Sequence, residues 1–154
     1  MVINMTDRKE IVGDELNPTF LFTWKGTRLR DEKKYHSHDH IEIAFIISGK
    51  GRYKIDDELY SVEEGDLLIL NPGVCHQALT DGNGRPTIEF FVGFTDVTFR
   101  DMAPNRFDIP GGPILHSSGD FRQKLFRIVS GMEAENEILR QGRYFMLRSY
   151  LIQL

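Results

Sequence analysis

The sequence contains almost no cysteine and no long apolar run, and both absences limit what the protein can be. Cys75 is the single cysteine among 154 residues, which excludes an internal disulfide and favours a reducing compartment. No stretch of about 18 apolar residues occurs, and the segment Met1–Glu10 lacks the apolar core of a signal peptide. We therefore expect a cytoplasmic protein with no membrane partner.

A surplus of basic residues is also missing. The formal charge is −4 and the isoelectric point is near 5.7. Binding to a nucleic acid backbone depends on Lys and Arg side chains that neutralise phosphates, so these residues are not expected to hold DNA by themselves. The length suits one domain with a sizeable core, and hydrophobic and charged contents of 40% and 27% are ordinary for a globular protein.

Short strand-like runs separated by turn residues fill the region from Phe20 to about Phe99. They cover 20–24, 41–48, 52–55, 58–62, 66–70, 76–80 and 86–94. Lys25-Gly26 and Asp56-Asp57 are predicted turns. This number and spacing of strands predicts a barrel or sandwich. In the run 41–48 the odd positions are all apolar and the even ones mixed, so we expect the even face to line the barrel and helices to cover the odd face.

The end of the chain changes to a helical period. Residues 100–119 are rich in Pro and Gly and are expected to be irregular, and a first helix follows a cap at Ser118-Gly-Asp120. Its apolar residues recur at helical spacing, at Phe121, Leu125, Ile128, Val129 and Met132. A break is expected at Asn136, and a second helix begins near Glu137 or Gly142.

The second helix is apolar around most of its circumference. Four of its residues have coiled-coil spacing: Tyr144, Leu147, Leu151 and Leu154. This predicts either a seam with a partner chain or packing on its own domain. Because the pattern stops at Leu154 without a capping residue, we expect the protein to continue. The charged run from Glu133 to Arg143 is expected to be a solvated surface.

Three histidines and one carboxylate are the main candidates for a site. His36, His38 and Glu42 share one face of an extended strand, and His76 follows a second strand-like run. Such a set can bind a divalent transition metal or a polar ligand. Cys75 beside His76 is expected to point to the opposite face, as a packing residue. His40 is expected to be exposed and His116 to be ordinary surface.

Other residues could complete a pocket for a polar molecule. Trp24, with Arg28 and Arg30 nearby, offers an aromatic platform and charged donors. Tyr53 and Phe90 are further candidates for the lining, although core packing is the simpler expectation for each of these residues alone.

Two motifs in this sequence resemble those of the cupin superfamily. The first is His36-x-His38-x3-Glu42-x6-Gly49, and the second runs from Gly65-Asp66 through Pro72-Gly73 to His76. The sequence departs from the pattern at Arg30, usually Gly, at Thr80, usually Asn, and by one extra residue between Gly65 and Pro72. With the Gly-Asp-Leu-Leu style and the helical tail, residues 20–154 resemble the effector-binding domain of AraC-type transcription regulators.

The resemblance implies a mainly β fold, a cupin double-stranded β-helix or jelly-roll barrel followed by two α-helices. It divides the chain into a flexible arm (1–18), a cupin barrel (19–117) and a helical dimerisation segment (118–154), with a DNA-binding domain after 154. The implied function is sensing of a small polar effector, such as a sugar, by a homodimer that contacts DNA only through that further domain. The ligand-binding residues would be His36, His38, Glu42, His76, Trp24, Arg28, Tyr53 and Phe90.

Two other functions stay open. The same four residues, His36, His38, Glu42 and His76, could hold Zn, Ni, Mn or Fe in a small metal-dependent cupin enzyme of the dioxygenase or isomerase type. For the regulator we expect no cofactor and no catalytic residue. A dimerisation module with an empty barrel is the third alternative.

Overall fold

The computed structural model describes residues 17–83, 85–98, 102–107 and 109–154. Eight strands precede two helices: β1 (Thr19–Arg28), β2 (Ile41–Ser48), β3 (Lys50–Ile55), β4 (Glu58–Glu63), β5 (Asp66–Leu70), β6 (His76–Thr80), β7 (Thr87–Thr95), β8 (Ile114–His116), α1 (Gly119–Ile138) and α2 (Arg143–Gln153). The predicted fold class, a mainly β jelly-roll barrel followed by two helices, is confirmed. The predicted arm of residues 1–18 lies outside the described residues, except for its last two.

Two antiparallel sheets form the barrel. The larger has the strand order β1-β7-β2-β5-β8, and the smaller has the order β4-β3-β6. The loop between β1 and β2 extends the smaller sheet, because Glu32 donates its amide to the carbonyl of Ala78 and His36 exchanges two backbone hydrogen bonds with His76. The barrel wall that carries the histidines is therefore partly made by a loop.

Each face of the larger sheet has its own apolar cluster. The odd positions of β2, such as Ile43 and Phe45, pack with Leu125, Val129 and Leu147 of the two helices. The even positions Ala44 and Ile46 belong to the cluster inside the barrel. The alternation of strand side chains thus separates an outer core under the helices from an inner core within the barrel.

The turn chemistry of the β3–β4 hairpin is as predicted. Asp56 and Asp57 have φ values of 45° and 69°, so both occupy the left-handed region that a two-residue hairpin turn requires. The predicted turn at Lys25-Gly26 is wrong. β1 continues through Gly26 to Arg28 because the Trp24 ring lies over this glycine, where an added Cβ would be 2.1 Å from a ring carbon.

Three expectations for the C-terminal part are also wrong. The region 100–119 includes the short strand β8, which pairs with β5. The first helix does not break at Asn136, since it continues to Ile138 and ends at Leu139 in the left-handed conformation. Phe121, predicted for its buried face, is 44% exposed.

The charged run between the helices is a solvated surface only in part, since Glu137 and Arg140 are exposed but Glu135 is not. Glu135 is buried and pairs with Arg140, while Arg143 donates to the backbone carbonyl of Glu135 and to the side chain of Asn136. These contacts fix the turn between α1 and α2. The helix pair itself is close-packed, because the Tyr150 ring covers Gly131.

The second helix packs on its own domain along most of its predicted seam. Leu147 and Leu151 are buried in the outer core, and Leu154 packs against it. A partner chain therefore cannot use these residues as its seam. Four other apolar residues of α2 are exposed: Tyr144, Phe145, Met146 and Ile152.

Candidate functional site

The strand register stacks the inward-facing residues of the barrel in layers. Glu42 of β2 lies opposite Gly93 of β7, and Trp24 of β1 lies opposite Phe91. Glu89 lies one further layer along, opposite both Gly26 and Ile46. Four residues of β7 separate Glu42 from Glu89, which corresponds to about 13 Å of strand. This row of side chains therefore has a polar group at each end and two aromatic residues, Trp24 and Phe91, in the middle, with Trp24 51% exposed.

The histidines form a compact cluster around Glu42 at one end. Nε2 of His38 lies 3.7 Å from Oε2 of Glu42, and Nε2 of His76 lies 3.9 Å from Oε1. The His36 ring centroid is 4.5 Å from that of His76 and 6.2 Å from that of His38. The four residues predicted for the site are thus brought together.

The geometry that brings them together differs from the one expected. β2 begins only at Ile41, so His36 and His38 are not on one regular strand with Glu42. The amide of Gly73 donates to the carbonyl of His38 at 2.8 Å, and the backbone pairing with His76 places His36. The loop preceding β2 therefore positions both histidines, and strand alternation does not.

His40 also belongs to the cluster, against the expectation that it is exposed. Its ring is half-buried and stacks on that of His38, with centroids 4.0 Å apart and planes 10° from parallel. The Phe22 ring packs edge-on against it at 5.4 Å. The ligand atoms of His38, His40 and Glu42 all lie within 4.8 Å of one another.

The Nδ1 atoms of three histidines point to backbone carbonyls. His36 donates to Lys34, His38 to His40 and His76 to Val74, at 2.9–3.1 Å. Because a carbonyl oxygen only accepts, each Nδ1 carries the proton and each neutral ring keeps a lone pair on Nε2. Carbonyl contacts of this kind commonly orient histidines that bind metals.

Two of the cluster's nitrogens are buried without any hydrogen-bond partner among the described residues. They are Nε2 of His38 and Nε2 of His40. An unsatisfied buried polar atom costs about 1–3 kcal/mol, so such atoms commonly mark the place of a ligand, a water or an ion. Together with the Glu42 carboxylate, these donors fit a divalent transition metal.

Burial dominates the protonation equilibria of the cluster. It raises the pKa of Glu42 to about 7, assisted by the negative charges of Glu32 and Glu89. It lowers the pKa of His38 to about 4, and the pKa of His76 is also lowered. Around neutral pH His38 and His76 are therefore uncharged, which is the form that binds a metal or accepts a hydrogen bond from an effector.

A fully bonded ion pair occupies the other end of the cavity. Glu89 is 1% exposed, and its carboxylate accepts from Nη2 of Arg28 at 2.8 Å, from the Tyr53 hydroxyl at 3.2 Å and from Thr87 at 2.6 Å. Burial opposes the charge of Arg28, but the hydrogen bonds and charge of Glu89 raise its pKa. Burial, with the Glu89 carboxylate beside it, raises the pKa of Tyr53 well above its usual value.

Sequence reasoning proposed Arg28 and Tyr53 for the pocket but missed Glu89. One acidic residue among the apolar residues of β7 was the available signal, because a carboxylate in a buried strand requires a partner. Phe90, the residue proposed instead, lies on the opposite face and packs in the outer core under the helices. The inward-facing aromatic residue is its neighbour Phe91, which contacts Trp24 at a centroid distance of 5.4 Å.

His116 is exposed, as expected, but its ring has a partner. Its Nδ1 lies 2.7 Å from Oδ1 of Asp66, a buried carboxylate that also accepts from the amide of Glu63. This contact ties β8 to the start of β5. Cys75 is half-buried, and its amide donates to Asp56.

An external cleft of about 340 Å³ opens near the histidine end. Its lining includes Ile55, Tyr60 and Val74, which also pack in the inner core. Ile55 pairs with His76 in the sheet register. This volume is in the range of sites for small molecules.

The family model described as the AraC-like ligand binding domain matches residues 27–147. The chain belongs to this family. The match includes the histidine cluster, Glu89, the whole of α1 and the first part of α2. Within the described residues, no helix is long and apolar enough to cross a membrane.

Individual proteins resemble this AraC-like domain only in part. An acireductone dioxygenase of Puccinia graminis f. sp. tritici is 35% identical over 52 residues, which are 30% of this chain and 29% of that protein. The chain thus spans less than a third of that curated relative. A cupin protein from Bacteroides fragilis has 21% identity and a TM-score of 0.45 over 57% of this chain and 76% of its own. A putative sugar phosphate isomerase from Acidithiobacillus ferrooxidans has 18% identity and a TM-score of 0.43, over 47% and 48%.

Proposed function

We propose that this AraC-like domain is the effector-sensing, dimerising part of a transcription regulator. The effector is a small polar molecule, such as a carbohydrate, bound in the barrel between the histidine cluster and the aromatic middle. The family match supports the sensing role. The net charge of −4 assigns contacts with DNA to a domain other than this one, and a cytoplasmic location follows from that role.

One observation carries the proposal: the barrel interior is polar at both ends, but only one end is satisfied. The Glu89 carboxylate has three side-chain donors, whereas Nε2 of His38 and of His40 has no hydrogen-bond partner among the described residues. A barrel selected only for stability would fill this space with apolar side chains. The effector is therefore expected to hydrogen-bond at the histidine end and to pack against Trp24 and Phe91.

Dimerisation is proposed through the exposed apolar face of α2 and the adjoining end of α1. Phe145 is 71% exposed, and Tyr144 and Ile152 are both 46% exposed. Ile138 and Leu139, at the end of α1, are exposed apolar residues as well, at 59% and 74%. Exposed apolar residues that cluster on a surface commonly mark a protein interface.

The runner-up function is a small metal-dependent enzyme. The local similarity to an acireductone dioxygenase and the metal-compatible histidines favour it. A metal held by His36, His38, Glu42 and His76 would act as a Lewis acid on a bound oxygen atom. Elemental analysis of protein purified without added metal separates the two, since a stoichiometric metal lost in His38→Ala supports the enzyme or a metal-requiring sensor.

A thermal-shift screen tests the sensing role. The chain is mixed with single sugars, sugar acids and other small polar metabolites at about 100 times a candidate dissociation constant. A ligand that binds only the folded state then adds about 2.7 kcal/mol, which for a domain of this size raises the midpoint by roughly 5–10 °C. A panel in which no compound shifts the midpoint contradicts the proposal and favours the empty dimerisation module.

A further inference from the structure

The unsatisfied nitrogens of the histidine cluster are not distributed as the cupin motif implies. The motif assigns His36 to the ligand set and leaves His40 out. Within the described part of the chain, the buried histidine nitrogens without a hydrogen-bond partner belong to His38 and His40. The hydrogen bond made by His36 lies in an exposed environment, where water can also satisfy the ring. A ligand bound between His38 and His40 would therefore satisfy more buried nitrogens than one bound between His36 and His38.

We propose that His40, and not His36, completes a divalent transition-metal site with His38, Glu42 and His76. The inference concerns the same cavity as the proposed function but does not depend on which effector binds there. Its ligand set differs from the motif's in one residue, so substitution can test it directly.

Distances within the cluster support this set. The ligand atoms of His38, His40 and Glu42 lie within 4.8 Å of one another. Two nitrogens on one zinc ion are at most about 4.2 Å apart, twice the usual zinc–nitrogen bond. The His38 and His40 rings are stacked and nearly parallel, so one of them has to rotate before both Nε2 lone pairs point to the same ion. His76 approaches the same carboxylate at 3.9 Å.

The surroundings of His40 also suit a ligand. Its Nδ1 lies 3.6 Å from the exposed Asp39 carboxylate, beyond hydrogen-bond range, and its Nε2 is buried without a hydrogen-bond partner among the described residues. Phe22 packs against the ring edge and limits its movement. Since Phe22 in turn covers Gly93, the ring is backed by the wall of β7.

The first test is a zinc titration of the EDTA-treated chain, read by competition with a chelating dye. We expect one zinc ion per chain and a loss of affinity of at least about tenfold in both His38→Ala and His40→Ala. His36→Ala is expected to weaken zinc binding by less than about threefold, which is well below the tenfold loss expected for the other two variants. His116→Ala, a histidine outside the cluster, is the matched control and should bind as the wild type does. Circular dichroism checks that each variant folds.

A second test uses the unmutated chain, so it remains decisive if a variant fails to fold. Long-range proton–nitrogen NMR spectra of the histidine rings are recorded before and after addition of one equivalent of zinc chloride. We expect the Nε2 resonances of His38, His40 and His76 to shift and that of His36 to stay in place. A shift of His36 with His40 unchanged, or a large loss of affinity in His36→Ala but not in His40→Ala, overturns the proposal. Absence of stoichiometric zinc binding also overturns it, while leaving the effector screen to be decided separately.

Discussion

Arg28 and Glu89 form a two-pronged ion pair inside the barrel, in which Nε and Nη2 of the arginine both donate to the carboxylate. Arg28 is the last residue of β1 and Glu89 lies near the start of β7, so the pair joins the edge strand to its neighbour. Tyr53 of β3 donates to the same carboxylate from the smaller sheet. This pair therefore ties the two sheets together at the end of the cavity away from the histidines.

Arg28→Ala is expected to lower the free energy of unfolding by about 3–5 kcal/mol, because it leaves the Glu89 carboxylate buried without its cation. Chemical denaturation measures the change. Arg30→Ala, at an exposed position two residues along, is the control and should differ from wild type by less than about 0.5 kcal/mol. Similar small effects for both variants would show that the pair is not important for stability.

Glu42→Gln should change how stability depends on pH. The raised pKa of Glu42, about 7, means that the folded state keeps this proton more tightly, so the carboxylate destabilises the wild type as pH rises from 4.5 to 7. The lowered pKa of His38, about 4, acts oppositely and adds stability as pH rises from 4 to 6.5. Between 4.5 and 6.5 the two effects offset each other.

Removal of the carboxylate leaves only the histidine effect. As the pH rises from 4 to 8, the unfolding free energy of Glu42→Gln should therefore increase relative to that of the wild type, by up to about 3 kcal/mol. Denaturation curves at several pH values, recorded with a chelator present, give this difference. A difference that does not vary with pH would mean that the carboxyl group titrates as it does in water.

Gly131→Ala tests the packing of the two helices. Alanine is favoured over glycine in a helix by about 1 kcal/mol, but here its methyl group would lie 2.5 Å from the Tyr150 ring. We expect the clash to dominate, with a net loss of about 1–3 kcal/mol. Ser130→Ala, at an exposed position on the same helix, should be neutral or slightly stabilising. A stabilised Gly131→Ala variant would show that Tyr150 moves aside freely.

Phe145→Glu should convert a dimer into a monomer. Light scattering after size exclusion is expected to give twice the chain mass for the wild type and a single chain mass for the variant, since a charge in an apolar interface is unfavourable. Leu59→Glu on β4 is the control, because Leu59 is also exposed but lies far from the helices in the fold. A wild type that is monomeric, or a dimer unaffected by Phe145→Glu, contradicts the proposed interface.

The sequence predicted the parts of the fold that depend on local chemistry. The hairpin at Asp56-Asp57 and the continuous apolar strand β5 follow from turn and burial preferences of short segments. The continuation of β1 through Gly26 could not be predicted locally. The pair Lys25-Gly26 is typical of a turn, and the packing of the Trp24 ring on Gly26 is evident only from the structure. β8 depends on pairing with β5, more than forty residues earlier in the chain.

The same distinction applies to the site. The motif spacing identified the histidines and Glu42, although a loop and not a strand positions His36 and His38. Phe90 was assigned to the wrong face because the register of β7 is set by its partners β1 and β2. The place of His40 depends on stacking against His38, which spacing alone does not specify.

The central claim is that the barrel cavity binds a small polar effector. Calorimetric titration of the best compound from the thermal-shift screen tests it most directly. The compound is titrated into the wild type, into the variants Trp24→Ala and Glu42→Gln, and into Leu59→Ala as the control. We expect one site per chain, affinity lost by about tenfold or more in the two cavity variants, and no change in the control. Binding that is equal in all four proteins would place the ligand outside the barrel and contradict the account.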